Sequence, residues 1–68
     1  MFRNTNQRRT ILYTKRRERE LTLAQVEAAT GIAPPVLSMY ERALVEPLVT
    51  NALKLAKFYN STVEELFS

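Results

Sequence analysis

The sequence contains no cysteine and no histidine among its 68 residues, and aspartate is absent as well. Without cysteine, neither a disulfide nor a thiolate metal site can stabilise the fold, which is typical of proteins from a reducing compartment. Metal centres and most acid–base or nucleophilic catalysts depend on clusters of histidine, cysteine and aspartate. We therefore expect no metal, no cofactor and no enzymatic activity.

Long apolar segments are also missing from the chain. No apolar run approaches the roughly 18 residues of a membrane-spanning helix, and no apolar segment follows the basic N-terminus as in a signal peptide. We therefore expect a cytoplasmic protein without a membrane partner. A length of 68 residues predicts one domain that buries only about 60% of its unfolded surface, which leaves no room for a small-molecule effector domain.

The charges are distributed unevenly along the chain. The formal net charge is +3, but residues 1–19 hold seven Lys or Arg against one Glu, whereas residues 20–68 hold three against six. The first segment is therefore +6 and the second −3. A basic segment of this kind is typical of nucleic-acid binding, because cations neutralise phosphates. A solvated helix face is the alternative interpretation.

The only glycine, Gly31, separates two short helix patterns. Thr22 and Gln25 have the spacing of a capping box, which predicts a helix over Leu23–Thr30 that ends at the glycine. A turn of about three residues follows, and proline at position 34 favours the start of a second helix over Pro34–Arg42. Two helices joined by a short glycine-containing turn form a helix-turn-helix unit, whose second helix enters the major groove of DNA.

Three further helices complete the prediction. An N-terminal arm, residues 1–6, precedes a first helix over Gln7–Arg19, for which Asn4, Thr5 or Asn6 can act as the cap. The fourth helix covers Val49–Tyr59 and ends at Asn60, and a second capping box at Thr62 starts the last helix. The predicted core face of the fourth helix consists of Val49, Ala52, Leu53, Ala56 and Tyr59. We therefore predict an all-α, compact five-helix domain over residues 7–68.

The chain resembles the Cro and phage-repressor (XRE) family of helix-turn-helix proteins over roughly residues 9–67. The matching segments are Leu21–Val26, Thr30–Ile32, Leu37–Ser38, Glu41–Arg42, Leu53–Lys57 and Val63–Phe67. The resemblance implies a repressor-like fold and a homodimer that binds double-stranded DNA. It also implies an ion pair between Arg16 on the first helix and Glu41 at the end of the recognition helix.

The candidate DNA-binding residues come from the basic N-terminus and from positions that face DNA in this family. They are Arg8, Arg9, Leu23, Pro34, Pro35, Val36, Ser38, Met39 and Arg42. Among them, Ser38 can bond several bases and Arg42 can reach guanine or phosphate, while Leu23 replaces a glutamine that usually contacts a phosphate. We expect specificity to depend on DNA shape and on few base contacts.

Two departures from the family leave alternatives open. Glu27 occupies a position that is usually small, so its carboxylate either lies at the rim beside an N-terminal arginine or the helix is rotated. The loop 43–48, ALVEPL, lacks the usual cations, and its Leu44–Val45 pair either packs against the core or forms a partner surface. The candidate dimer interface comprises Phe58, Val63 and Phe67, with Leu44 and Val45 as an alternative patch.

The sequence therefore predicts a small, sequence-specific transcription regulator, a repressor or controller that acts as a dimer on an inverted-repeat operator. The alternative is a protein-interaction module on the same fold, such as an antitoxin or an anti-repressor partner. The apolar loop 43–48 favours this alternative, whereas the basic N-terminus favours DNA.

Overall fold

A computed structural model describes residues 9–68 of the chain. These residues form five α-helices and no strand, as the sequence predicts. The helices are α1 (Ile11–Glu18), α2 (Leu23–Thr30), α3 (Pro34–Glu41), α4 (Val49–Tyr59) and α5 (Val63–Leu66). Within this part of the chain, no helix is both long enough and apolar enough to cross a membrane.

The structure confirms the predicted bounds of α2 and α4 but corrects those of α1. α1 begins at Ile11, so Arg9 and Thr10 are not helical as predicted, because Thr10 is extended and its N–H donates to the Glu41 carbonyl 2.9 Å away. At Thr10 a tertiary hydrogen bond therefore takes the place of a helical one. Positions 7 and 8 of the predicted helix lie outside the described residues. The predicted arm and its candidate caps lie outside the described residues. α3 ends at Glu41, one residue before the predicted end.

Local capping explains the ends of α2. The Gln25 N–H donates to the Thr22 hydroxyl at 3.1 Å and the Thr22 N–H donates to the Gln25 side chain at 2.8 Å, so the capping box is complete. Gly31 ends the helix in the left-handed conformation with a φ of +79°. The box at Thr62 is only half formed, because the Glu65 carboxylate accepts from the Ser61 hydroxyl instead.

Three other helices end at a left-handed residue that is not glycine. Glu20, Ala43 and Asn60 have φ values of 54°, 58° and 54°, and they follow α1, α3 and α4. In each case the next residue donates its N–H to a carbonyl five residues back, which is the hydrogen bond of a Schellman motif. Asparagine tolerates this conformation better than alanine or glutamate, so the ends of α1 and α3 are locally strained.

The core lies where the five helices meet. Its buried apolar residues are Leu12, Val26, Ile32, Leu37, Tyr40, Ala52, Leu55, Ala56, Tyr59 and Leu66. α3 contributes Leu37 and Tyr40 to this core. Burial raises the pKa of the Tyr59 hydroxyl to about 12, with a further contribution from the Glu41 carboxylate. The neutral phenol is therefore the form that fits this core.

The predicted core face of α4 is wrong at two positions. Val49 and Leu53 are 73% and 56% exposed, whereas Leu55 is fully buried. The buried set Ala52, Leu55, Ala56 and Tyr59 follows the full i, i+3, i+4, i+7 spacing, and Val49 and Leu53 lie on the flank of that stripe. α4 also has no side-chain cap, because Leu48 occupies the cap position.

Tyr40 connects the start of α4 to α3. Its hydroxyl accepts from the Asn51 amide at 3.0 Å and from the Leu48 N–H at 3.4 Å. A buried tyrosine therefore satisfies the N–H of the cap residue, which the side chain at the third helical position serves in a capping box. Glu27 is exposed while Val26 and Thr30 are buried, so α2 is not rotated to bury the carboxylate.

We expect substitutions at two left-handed residues, Gly31 and Ala43, to change the free energy of unfolding in opposite directions. Gly31→Ala should lower the free energy of unfolding by about 1 kcal/mol, because open space surrounds the new methyl group and only backbone strain opposes it. Ala43→Gly should raise it by about 0.5 kcal/mol, because the strain exceeds the added unfolded-state entropy.

Urea unfolding followed by circular dichroism measures both changes. Ala24→Gly is the matched control, because Ala24 is exposed and helical and glycine there should cost about 1 kcal/mol. A destabilising Ala43→Gly substitution would contradict the assignment of strain to the end of α3.

Candidate nucleic-acid interface

The outward face of α3 holds most of the candidate DNA-binding residues. Because Leu37 and Tyr40 are buried, the opposite side of the helix is left toward solvent. Pro35 and Arg42 are exposed there, and Ser38 is half-buried. The arrangement presents one face of α3, which is what a recognition helix requires.

The chemistry of this face is sparse. Of the six candidate residues on α3 and its cap, only Ser38 and Arg42 have side chains that form hydrogen bonds. Pro34, Pro35 and Met39 offer only apolar contact. Ala33, the extended residue before α3, provides no side-chain cap. The two prolines lack N–H groups and so remove two of the free donors at the start of the helix. The start of α3 is therefore rigid but cannot read bases by hydrogen bonds.

Two candidate positions contribute to the core as well as to the surface. Leu23 and Val36 are half-buried and pack against the core cluster. Their side chains are therefore only partly available to a ligand. Arg8 lies outside the described residues, and Arg9 is exposed.

Arg16 and Glu41 form a bidentate ion pair between α1 and the end of α3. Arg16 Nε lies 2.7 Å from Glu41 Oε2 and Nη2 lies 3.0 Å from Oε1, while Nη1 donates to the Leu21 carbonyl at 2.8 Å. The side chains are only 12% and 5% exposed. The hydrogen bond to Glu41 is the main cause of the raised pKa of Arg16. Burial opposes this shift, so the carboxylate stabilises a cation that is partly removed from water.

Thr10 adds a second connection at the same place. Besides the backbone bond to Glu41, its hydroxyl lies 3.4 Å from the carbonyl oxygens of Tyr40 and Glu41. Arg9 precedes Thr10 and Arg42 follows Glu41, so this connection brings two exposed arginines to the same end of α3. The signal for it in the sequence was a polar residue immediately before the apolar residues 11–13.

Three arginine side chains lie close to the ring of Tyr13. The guanidinium carbons of Arg9, Arg16 and Arg17 lie 5.4, 5.6 and 5.8 Å from the ring centroid. Arg17 also lines a shallow hollow that includes Leu23 at the start of α2. Sequence reasoning did not single out Tyr13 or Arg17, and their i, i+4 spacing was the only signal in the sequence.

A family model described as helix-turn-helix matches residues 12–66. The chain belongs to the Cro/C1-type helix-turn-helix family, also called XRE. Members of the XRE family are DNA-binding transcription regulators, and this chain is a regulator of that type. No curated protein and no solved structure matches the chain significantly.

The candidate dimer residues of this XRE domain lie in two separate places. Leu44 and Val45 are 55% and 45% exposed, so the alternative in which they pack against the core is wrong. Together with Phe67 they line one hollow, whereas Phe58 lines a different one beside Lys57. Val63, Phe58 and Phe67 are half-buried against the core.

We expect Glu41→Gln to lower the free energy of unfolding by about 3 kcal/mol, because the amide leaves the Arg16 guanidinium without a compensating charge in a mostly buried site. Glu27→Gln makes the same chemical change at an exposed position and should alter stability by less than about 0.5 kcal/mol. Urea unfolding measures both. A Glu41→Gln protein as stable as the Glu27→Gln control would show that the pair contributes nothing.

Proposed function

We propose that the chain is a sequence-specific double-stranded DNA-binding repressor or controller, which acts as a dimer on an inverted-repeat operator. The observation that carries this proposal is the fixed position of α3. Its inner face is buried in the core and its last residue, Glu41, is held by Arg16 and Thr10. A helix fixed in this way can insert its outer face into the major groove without reorganising.

The polar groups near α3 have distinct roles in this proposal. Arg42 and Ser38 are the groups that can read base edges, since a guanidinium matches guanine and a hydroxyl suits several bases. Arg9 is adjacent to Thr10 and so lies at the same end of α3, where it can contact phosphate. Only the Arg42 and Ser38 side chains in each subunit can contact base edges, so direct readout is limited. DNA shape supplies the remaining specificity.

Dimerisation follows from the same limit. One helix with two base-contacting side chains cannot give the roughly nanomolar affinity that is typical of specific sites. Two copies of the chain therefore bind together. Two-fold symmetry then requires half-sites about 34 Å apart. Leu44, Val45 and Phe67 support an interface at the loop 43–48, because they border one hollow and two of them are exposed.

A protein-interaction module is the second candidate function. The exposure of Leu44 and Val45 favours it, because this loop offers apolar surface where a DNA-contacting loop would carry cations. In that case a different protein, rather than a second copy, would cover the loop. The two functions differ in how binding responds to salt.

We expect binding to mixed-sequence duplex DNA to weaken steeply with salt. For about six phosphate contacts per dimer, the logarithm of the binding constant should fall with the logarithm of salt concentration at a slope near −5. On a site selected from random duplexes, Arg42→Ala should cost about 1–3 kcal/mol and relax one position, whereas Arg9→Ala should weaken selected and mixed DNA alike.

Fluorescence anisotropy with labelled duplexes measures both effects. Lys57→Ala is the matched control, because Lys57 is an exposed cation on α4. A flat salt response of the parent chain would favour the protein-interaction module. If Arg42→Ala and Arg9→Ala lose the same affinity on all sequences, Arg42 contacts phosphate rather than a base.

We expect the double substitution Leu44→Gln, Val45→Thr to weaken the dimer and DNA binding together while leaving helical content unchanged, because both side chains are exposed. Leu53→Gln is the control, since Leu53 is 56% exposed but does not border this hollow. Sedimentation equilibrium measures the dimer. A monomer at micromolar concentration that nonetheless protects a single half-site tightly would contradict the dimer.

A further inference from the structure

We infer that Tyr13 is a positioning residue that holds Arg9 and Arg17 toward the DNA backbone. The inference rests on the proposed function and extends it to two residues, Tyr13 and Arg17, outside the recognition helix. Its basis is the cluster in which three guanidinium carbons lie 5.4 to 5.8 Å from one ring centroid. Each distance is within the range of about 6 Å for an attraction between a cation and an aromatic face.

The cluster concentrates positive charge around one aromatic ring. Glu41 compensates Arg16, and Glu20 borders the same hollow as Arg17. The cluster brings three cations together at a surface where Arg9 and Arg17 are both exposed. Like charges held close together repel one another. An anion that binds at this surface reduces this repulsion, and its binding free energy is more favourable as a result.

The position of the cluster matches the path of a DNA strand. Arg17 shares a hollow with Thr22 and Leu23 at the start of α2, and Arg9 adjoins the Thr10–Glu41 bond at the end of α3. In a helix-turn-helix complex the first helix of the unit crosses the backbone while the second enters the groove. The ring of Tyr13 therefore lies beside the edge along which phosphates would pass.

The ring contributes by reducing the freedom of the arginine side chains. A long side chain in solvent samples many rotamers and loses that freedom when it binds. Arginine stacked on an aromatic face is already restricted before the phosphate arrives. Tyr13 would thus increase affinity for every sequence equally, without reading bases.

The test uses the full chain and a mixed-sequence duplex of about 20 base pairs, long enough for two half-sites one helical turn apart, across a range of salt concentrations. Tyr13→Leu should weaken binding about tenfold, as expected when two arginine side chains must be ordered on binding, whereas Tyr13→Phe should stay within about twofold because the ring remains. Arg17→Gln should make the salt slope shallower by about one per bound subunit. Lys57→Gln, the matched charge control on α4, should change neither quantity by as much.

Two further measurements separate positioning from folding. The δ-methylene protons of Arg17 should show a ring-current shift by NMR in the parent and in Tyr13→Phe, and lose it in Tyr13→Leu. The double variant Tyr13→Leu, Arg17→Gln should lose less affinity than the product of the two single losses, because both substitutions remove the same contact. Urea unfolding identifies any loss that comes from instability, and the Arg17→Gln slope tests the inference even if Tyr13→Leu unfolds.

The outcomes distinguish this inference from the proposed function. A parent chain without salt-dependent DNA binding would overturn both. A parent that binds with a steep slope, together with Arg17→Gln and Tyr13→Leu proteins that bind like Lys57→Gln, would overturn only the role of Tyr13. Coupled losses for Tyr13 and Arg17, with rescue by phenylalanine, would support it.

Discussion

The bidentate pair between Arg16 and Glu41 is the interaction on which the placement of α3 depends. It joins residues 25 positions apart in the chain, and Nη1 of the same guanidinium also binds the Leu21 carbonyl before α2. One arginine therefore connects α1, the α1–α2 loop and the end of α3. A carboxylate that is only 5% exposed needs such a partner, because an unpaired charge in that position would be costly.

With α3 fixed, the distribution of polar groups determines what the domain can do. Among the candidate DNA-binding residues on α3 and its cap, only Ser38 and Arg42 can form side-chain hydrogen bonds, and the loop 43–48 exposes leucine and valine rather than cations. Contacts to the DNA backbone are therefore expected on the α1 side, where the arginines lie. Under the proposed function, an XRE domain built in this way obtains affinity mainly from charge and from a second subunit, and obtains specificity from DNA shape.

Local sequence signals predicted what local interactions determine. The capping box at Thr22, the glycine at position 31 and Asn60 gave correct ends for α2 and α4. The start of α1 was wrong because a hydrogen bond from Thr10 to a residue 31 positions away decides it. The core face of α4 was wrong because two apolar stripes share Ala52 and Ala56, and only packing against neighbouring helices selects between them. The arginine cluster around Tyr13 depends on side-chain conformations, which periodicity does not describe.

The most direct test of the central claim, that α3 and the α1 arginines together face DNA, is an NMR titration of the isotopically labelled chain with duplex DNA at low salt. We expect the largest shift changes at the amides of α3 and at the side-chain Nε groups of Arg9, Arg17 and Arg42. Lys57 and α5 should change little. Shift changes confined to the loop 43–48 and the start of α4, with α3 unaffected, would contradict this claim.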